Sequence, residues 1–178
     1  MTTVGQWHCM NWIAIPLTAE RRTQMEHIAI RYAEENDYSH VEKIMQQVQD
    51  MHVNWRPDIY KWGDIVLPYE VFKEAVYEKS FLVAEIGSQI VGLLFFMIRH
   101  IENTNQVTRD ILFIDSMAVA EGYRGQGVGH SLFAFAKDIR KQRHLDGIEL
   151  QVNSKNLDAR GMYEKYGFTE KSVIMELL

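Results

Sequence analysis

An apolar strand, a loop with three glycines at alternate positions and a helix follow one another without a break in this chain. The strand reads Ile114-Asp115-Ser116-Met117-Ala118-Val119, and the loop reads Arg124-Gly125-Gln126-Gly127-Val128-Gly129-His130. Glycine allows positive φ, so consecutive N–H groups in such a loop can turn toward one anion. The helix N-terminus adds unpaired donors, and the Arg124 guanidinium adds a planar fork suited to phosphate. The pattern therefore predicts a pyrophosphate site.

Two other phosphate-binding loops and an inert loop are the alternatives. A P-loop needs Gly-Lys-Ser or Gly-Lys-Thr, which does not occur at this loop. A dinucleotide loop needs Gly-x-Gly-x-x-Gly near the start of a βαβ repeat, whereas the glycines here are spaced Gly-x-Gly-x-Gly. An inert loop would not favour glycine at the start of a helix, because each one costs about 1 kcal/mol relative to alanine there.

A second motif follows the helix. The chain continues as Leu150-Gln151-Val152-Asn153-Ser154-Lys155-Asn156 and then Ala159-Arg160-Gly161-Met162-Tyr163-Glu164-Lys165-Tyr166-Gly167-Phe168. The first motif resembles the R/Q-x-x-G-x-G/A acetyl-CoA loop of the GNAT acyltransferase superfamily. The second is similar to that family's strand-Asn-x-x-Asn and Ala-x-x-x-Tyr-x-x-x-Gly-Phe pattern. The two motifs occur in the family's order, and the resemblance covers residues 27–177.

The hydrophobic spacing predicts strands and helices in an order that suits this family. Hairpins together with βα crossovers indicate a mixed sheet with helices on its faces. The resemblance implies an α+β, three-layer GNAT fold with a mostly antiparallel, twisted sheet. We expect a GNAT domain over residues 26–178 and an N-terminal extension over residues 1–25. The predicted elements are strand 28–31, a helix capped by Asn36 or Asp37, a helix from Pro68, strands 81–86, 89–99 and 110–119, helix 127–143, strand 147–152, helix 157–166 and a last strand 168–177.

The resemblance implies acetyl-CoA as the acyl donor and assigns residues to it. The strand 111–119 would part from its parallel neighbour, 147–152, and the pantetheine arm would enter between them. Asn153 and Asn156 would reach the arm or the adenosine side; alternatively, each one caps the next helix. The backbone residues implied for the arm are Met117, Ala118 and Val119, and those for the pyrophosphate are Arg124, Gly125, Gln126, Gly127, Val128, Gly129 and His130.

Tyr163 is the candidate general acid. An acid is useful because the departing CoA thiolate must gain a proton or at least a hydrogen bond. The resemblance places Tyr163 where the family has its tyrosine acid, and Tyr166 is the second candidate. The alternative is that Tyr163 is an aromatic residue that packs in the core.

Asp115 is the candidate general base. An amine with a pKa of about 10 is mostly charged at pH 7 and must lose a proton before it attacks. Because side chains alternate along a strand, Asp115 is expected on the same face as Met117 and Val119. In many relatives an acidic residue on this strand activates the amine. Asp110, Glu149 and a chain of waters are the alternatives.

A covalent intermediate and a metal are not expected. Cys9 is the only cysteine, which excludes a disulfide within the chain, and it lies in the predicted extension, far from every motif. Direct attack in a ternary complex is therefore favoured over an acyl-cysteine. The seven histidines have neither HExxH nor another metal-binding spacing.

The resemblance to the GNAT family places the acceptor segment between the first two helices, at residues 52–64. Trp55, Tyr60 and Trp62 are interleaved there with Asp58 and Asp64, and such a set could hold a cation. The alternative is that the aromatic residues only cover the sheet. We expect an N-acetyltransferase that acts on a primary amine of a small molecule. The alternatives are acetylation of a protein N-terminus or lysine, and a non-catalytic CoA-binding sensor.

Charge and hydropathy restrict the partners and the location. A formal net charge of −5 argues against nucleic acid as a partner. The first residues lack a basic region followed by an apolar one, and the apolar run 90–98 is about half a bilayer span. We therefore expect a cytoplasmic protein without membrane contact. Because the chain after Phe168 is too short for a terminal hairpin, we expect one longer strand, which could pair with a second copy in a homodimer.

Overall fold

The computed structural model describes residues 27–177, and the predicted N-terminal extension, with Cys9, lies outside them. Five strands and four helices occur among these residues, with short 3₁₀ turns at Glu35–Asp37 and Glu121–Tyr123. In chain order they are β1 (Ile28–Tyr32), α1 (Tyr38–Trp55), α2 (Tyr69–Tyr77), β2 (Phe81–Ile86), β3 (Gln89–Ile101), β4 (Arg109–Val119), α3 (Val128–Gln142), β5 (Gly147–Leu150) and α4 (Leu157–Lys165). None of the described helices is both long and apolar enough to cross a membrane.

The five strands form one mixed sheet in the order β1-β2-β3-β4-β5. The first four pair antiparallel, and β5 pairs parallel with β4. The parallel pair is possible because α3 provides the crossover between β4 and β5. The predicted α+β fold, a mostly antiparallel sheet with helices on both faces, is confirmed.

Each sheet face has its own core. On the first face, here the α3 face, α3 contributes Val128, Leu132 and Phe133 to a core shared with β2, β3 and β4. On the second, here the α1 face, Val41 and Ile44 of α1 pack with Phe72 and Ala75 of α2. Val41 and Ile44 are three residues apart and therefore lie on one side of α1. The helical spacing in the sequence predicted this apolar side.

Arg31 joins β1, β2 and the turn before α1. Its guanidinium donates to Asp37 at 2.7 and 3.0 Å and to Glu85 on β2 at 3.0 Å. Burial of Asp37 by itself would raise the pKa of the carboxyl. Hydrogen bonds from Arg31 and from the backbone N–H of Glu34 outweigh burial, and the pKa of Asp37 is lowered. The start of α1 is thereby tied to the sheet.

The predicted last strand, 168–177, is wrong. Residues 168–177 form neither a strand nor a helix, and no described strand pairs with them. The sheet ends at β5, which has only four residues and offers a short edge. The run Val173-Ile174-Met175 also lacks the alternation of a half-buried strand, and all three side chains are exposed. The segment therefore follows the surface instead of joining the sheet.

Candidate active site

A gap opens between β4 and β5. Their parallel pairing runs from Ile111 opposite Gly147 to Ile114 opposite Leu150. Beyond Ile114, β4 continues to Val119 with β3 as its only partner among residues 27–177. The predicted parting of these two strands is therefore present, and it exposes the β4 edge over residues 115–119.

The phosphate loop, residues 124–130, has the backbone conformation that its glycines predicted. Gly125 has φ of 76° and Gly127 has φ of 89°, in the region that disfavours any side chain. A Cβ atom at either position would meet nothing within 4 Å. The glycines thus serve the backbone conformation and leave open space in front of the loop.

Several consecutive backbone N–H groups at this loop have no partner in the part of the chain that the structure describes. Within residues 27–177, the six N–H groups from Gly125 to His130 donate no hydrogen bond, and the first bond of α3 runs from Ser131 N–H to Gly127 O at 3.0 Å. The N-cap residue is Gly127, and none of the described side chains caps the helix. A helix normally leaves its first N–H groups for a cap, water or a ligand, and its dipole favours an anion there. These donors fit a diphosphate.

The side chains of Arg124 and Gln126 hydrogen-bond the loop to the backbone that precedes it. Arg124 Nε donates to the carbonyl oxygen of Val119 at 3.2 Å, and Gln126 Nε2 donates to that of Gly122 at 2.9 Å. The Arg124 bond holds the guanidinium beside the end of β4. Its two Nη atoms donate no hydrogen bond to the described part of the chain and can bind phosphate oxygens.

The end of β4, the start of α3 and α4 meet around Gly129. A Cβ atom there would lie 3.6 Å from Met117 Cε, 3.8 Å from Val119 Cγ2 and 3.9 Å from Met162 Sδ. These are contact distances, so the three elements are packed together. The residues predicted for the arm and for the pyrophosphate therefore lie side by side, next to the residue that precedes Tyr163.

Tyr163 lies half-buried on α4, with its ring edge-on to Phe168 at a centroid distance of 5.5 Å. Burial, and to a lesser extent the neighbouring Tyr166, raises the pKa of Tyr163 to about 12. The hydroxyl therefore stays protonated at neutral pH. Its oxygen donates to no acceptor among the described residues, so the proton is available for transfer.

Tyr166 has a different setting. Its ring stacks on Phe133 at a centroid distance of 4.7 Å and approaches His130 at 5.6 Å. Burial raises the pKa of Tyr166 as well. Because the ring belongs to the α3-face core, packing accounts for Tyr166 without a role as a donor.

Asn153 and Asn156 both accept hydrogen bonds from nearby backbone N–H groups. Asn156 Oδ1 accepts the N–H of Ala159 at 3.1 Å and caps α4. Asn153 Oδ1 accepts the N–H of Lys155 at 2.9 Å. The capping alternative therefore describes what Asn156 does in this structure, and its amide nitrogen donates to no acceptor among residues 27–177.

Asp115 lies at a β-bulge, which the sequence did not reveal. Phe95 and Phe96 are consecutive on β3 but lie opposite Ser116 and Ile114, so Asp115 is the extra residue. A bulge interrupts the alternation of side chains, so the argument that grouped Asp115 with Met117 and Val119 does not hold across it. The Asp115 carboxylate is exposed and accepts a hydrogen bond from Ser116 Oγ at 3.0 Å.

Two alternatives to Asp115 are engaged elsewhere. Asp110 accepts from His100 at 2.7 Å at the opposite end of β4. Glu149 lies 2.6 Å from Lys171 Nζ and 3.5 Å from Arg109 Nη2. Asp115 is thus the carboxylate on β4 that lies at the gap and is free of a cation among residues 27–177.

The predicted acceptor segment is partly occupied by its own contacts. The His52 ring stacks on Tyr60 at a centroid distance of 4.8 Å, and burial lowers the pKa of His52. Asp58 is paired with Arg56 at 2.6 Å. Trp62 is 59% exposed, which leaves its ring available. His52 and Tyr60 are therefore engaged with each other, whereas the Trp62 ring is exposed.

Two curated relatives match parts of the chain. A streptothricin acetyltransferase of Escherichia coli is 40% identical over 65 residues, which are 36% of this chain and 37% of that protein. An N-alpha-acetyltransferase of Sulfurisphaera tokodaii is 32% identical over 113 residues, which are 60% of this chain and 68% of that protein. The chain thus matches little more than a third of the length of the first relative.

A solved structure and a family model match larger parts. The structure of a mutant of the BH1408 protein from Bacillus halodurans superposes with a TM-score of 0.82 and 27% identity, over 84% of this chain and 98% of that one. The model of the Acetyltransferase (GNAT) family matches residues 45–168, which include the sheet from β2 to β5, the phosphate loop and α4. The chain belongs to the GNAT acetyltransferase family.

Proposed function

We propose that this protein transfers the acetyl group of acetyl-CoA directly to a primary amine of a small molecule, within a ternary complex. The observation that carries the proposal is the row of six unpaired N–H groups at the phosphate loop, next to the gap in the sheet. A diphosphate bound there places the rest of the donor beside the exposed edge of β4.

The donor site is made largely of backbone. The N–H groups of residues 125–130 and the Arg124 guanidinium bind the pyrophosphate, and the edge of β4 at Met117–Val119 pairs with the pantetheine arm. When bound, acetyl-CoA supplies an activated acetyl group as its thioester. A backbone N–H on the same edge polarises the carbonyl oxygen, which is the form of stabilisation that acyl transfer needs most.

Two side chains transfer the protons of the reaction. Asp115 accepts a proton from the ammonium form of the amine, directly or through water, and leaves a neutral nucleophile. The amine nitrogen attacks the carbonyl carbon and the carbon–sulfur bond breaks. The Tyr163 hydroxyl donates its proton to the departing sulfur, and the proton that the nitrogen loses as the amide forms passes through water and replaces it on the tyrosine oxygen. Because the pKa of Tyr163 is about 12, the hydroxyl begins each turnover protonated.

The acceptor is a cationic amine of modest size. The exposed Trp62 ring and the Asp115 carboxylate suit an ammonium group, since both attract positive charge. The Escherichia coli relative is named for streptothricin, which favours a small acceptor. The Sulfurisphaera tokodaii relative is named for an α-amine, so acetylation of a peptide N-terminus is the second candidate.

A mass-spectrometric product screen tests the proposal. The protein is incubated with acetyl-CoA and a panel of polyamines, amino acids, aminoglycosides and short peptides. We expect one class of small amine to gain a single acetyl group, with release of CoA. Product from the peptides alone would favour the second candidate. Tight binding of acetyl-CoA without any product would indicate a non-catalytic sensor.

A further inference from the structure

Ion pairs hold the C-terminal segment, residues 168–177, at three successive points. The first pair joins it to α4, the second to β5 and the third to the residue that follows α1. In this order they are Arg160–Glu170 at 2.7 Å, Glu149–Lys171 at 2.6 Å and Arg56–Glu176. The segment thus runs from α4, past the end of β5, to the end of α1.

The segment changes sheet face on the way. Phe168 packs against Phe133 in the α3-face core, at a centroid distance of 5.4 Å. Glu149 lies opposite Phe113, whose neighbours on both sides in β4 belong to the α3-face core. Because side chains alternate along a strand, Phe113 and Glu149 point to the α1 face. Lys171, bound to Glu149, has therefore already crossed to that face.

The second and third ion pairs join the segment to elements on the two sides of the gap. Glu149 is followed by Leu150, the residue at which the pairing of β4 and β5 ends. On the other side, α1 shares a core with Ala118, on the part of β4 that borders the gap. Five residue steps separate Lys171 from Glu176 and span at most about 17 Å when extended. Residues 172–175 therefore pass close to the gap on the α1 face.

We propose that the Arg56–Glu176 ion pair holds residues 172–175 as a wall of the acceptor site and thereby limits the size of the amine. This inference rests on the proposed function and deepens it. The phosphate loop lies at the start of α3, so an arm that enters the gap from there presents its thioester toward the α1 face. The amine approaches from that face, along Val173, Ile174 and Met175, whose side chains are 65%, 81% and 85% exposed.

Arg56 is suited to this task because Asp58 orients it. Arg56 Nε and Nη2 donate to the Asp58 carboxylate at 2.9 and 2.6 Å, and Nη1 donates to Glu176. Hydrogen bonds from Arg56 lower the pKa of Asp58, so this carboxylate stays charged. The planar guanidinium binds both acids at once through separate N–H groups in a fixed plane, an arrangement that the ammonium group of a lysine lacks.

Steady-state kinetics of Glu176→Gln test the role in specificity. Two amines of the class found in the product screen are compared, one small and one bulky, at saturating acetyl-CoA. We expect kcat/KM for the bulky amine to rise about threefold relative to the small one, a size typical of a lost exposed ion pair. The KM of acetyl-CoA should not change. Arg56→Lys should give an intermediate ratio, because it keeps a charge opposite Glu176.

Trypsin cleavage after Lys171 tests the anchoring independently of activity. Release of the C-terminal peptide, followed by mass spectrometry, should be faster in Glu176→Gln than in the unaltered protein. The matched control is Asp138→Asn, which breaks the exposed Asp138–Lys141 pair on α3 and should change neither readout. Equal cleavage rates would overturn the anchoring, whatever the activity. Faster cleavage with an unchanged size preference, or a raised KM for acetyl-CoA alone, would overturn the role in acceptor choice.

Discussion

At the scale of single residues, the Tyr163 hydroxyl carries the most specific prediction. Tyr163→Phe keeps the ring against Phe168 and removes only the oxygen. If the hydroxyl protonates the departing sulfur, kcat should fall by about 10²-fold, because that is what general acid catalysis typically contributes. Acetyl-CoA binding, measured by calorimetry, should stay within about twofold. Tyr166→Phe is the matched control and should keep most of the activity, since that ring packs in the core.

The pH dependence of the same residue follows from its burial. An ordinary tyrosine ionises near pH 10, but burial raises the pKa of Tyr163 to about 12. The acid form therefore persists in the folded protein through the range in which an exposed tyrosine loses its proton. We therefore expect no fall in kcat near pH 10 that depends on Tyr163: the pH profiles of the unaltered protein and of Tyr163→Phe should have the same shape in this range. A fall at that pH, absent from the variant, would contradict the raised pKa.

At the scale of elements, the junction between the phosphate loop and α3 decides donor binding. Gly127→Asp places a carboxylate against the diphosphate and a side chain at a φ of 89°. Acetyl-CoA affinity should fall by more than tenfold, because the charge now opposes the phosphate that the helix dipole attracts. Gly87→Asp, in the β2–β3 turn with φ of 62°, imposes similar backbone strain away from the loop. Equal affinity of the two variants would mean that the phosphates bind elsewhere.

The link between β1, β2 and α1 depends on the charge of Asp37. Asp37→Asn should lower the free energy of unfolding by about 1.5–3 kcal/mol at pH 7, because Arg31 loses a charged acceptor. The pKa of Asp37 is lowered in the folded state, so its contribution is complete above the ordinary value of 3.8 and is lost as the pH falls through the folded-state pKa. The difference between the variant and the unaltered protein should therefore be complete at pH 7 and shrink as the pH is lowered below 3.8. Urea unfolding at pH 7 and over this acidic range measures it, with Asp138→Asn as the control for an exposed carboxylate.

At the scale of the whole molecule, the features that the sequence predicted depend on interactions between neighbouring residues. The features that it did not predict depend on contacts between residues far apart in the chain. The glycine conformations of the phosphate loop and the cap at Asn156 each depend on a few neighbouring residues. The spacing predicted the first and offered the second as an alternative to a cofactor contact. The bulge at Asp115 depends on the register between β3 and β4, and no local pattern marks it. The path of residues 168–177 depends on three ion pairs with distant elements, and a run of apolar residues suggested a strand instead.

The close approach of α3 to the sheet links overall stability to donor binding. A Cβ atom at Gly92 on β3 would lie 2.9 Å from Val128 Cγ1, 3.2 Å from Ala118 O and 3.2 Å from Leu132 Cδ1. Val128 is stiff and Ala118 O is backbone, so Gly92→Ala must push the first turn of α3 away from the sheet. Overpacking of this kind costs about 1–3 kcal/mol, and each kcal/mol lowers Tm by about 2–4 °C in a chain of this length.

The same displacement moves the unpaired N–H groups of the phosphate loop relative to the β4 edge. We therefore expect Gly92→Ala to lower Tm and also to weaken acetyl-CoA binding, although residue 92 does not belong to the binding site. Calorimetry gives both quantities for one sample. Asp37→Asn, which destabilises the fold from the α1 face, serves as the control and should leave the affinity of the folded protein unchanged. A Gly92→Ala protein with a lowered Tm and unaltered affinity would show that the loop is positioned independently of the contact between α3 and the sheet.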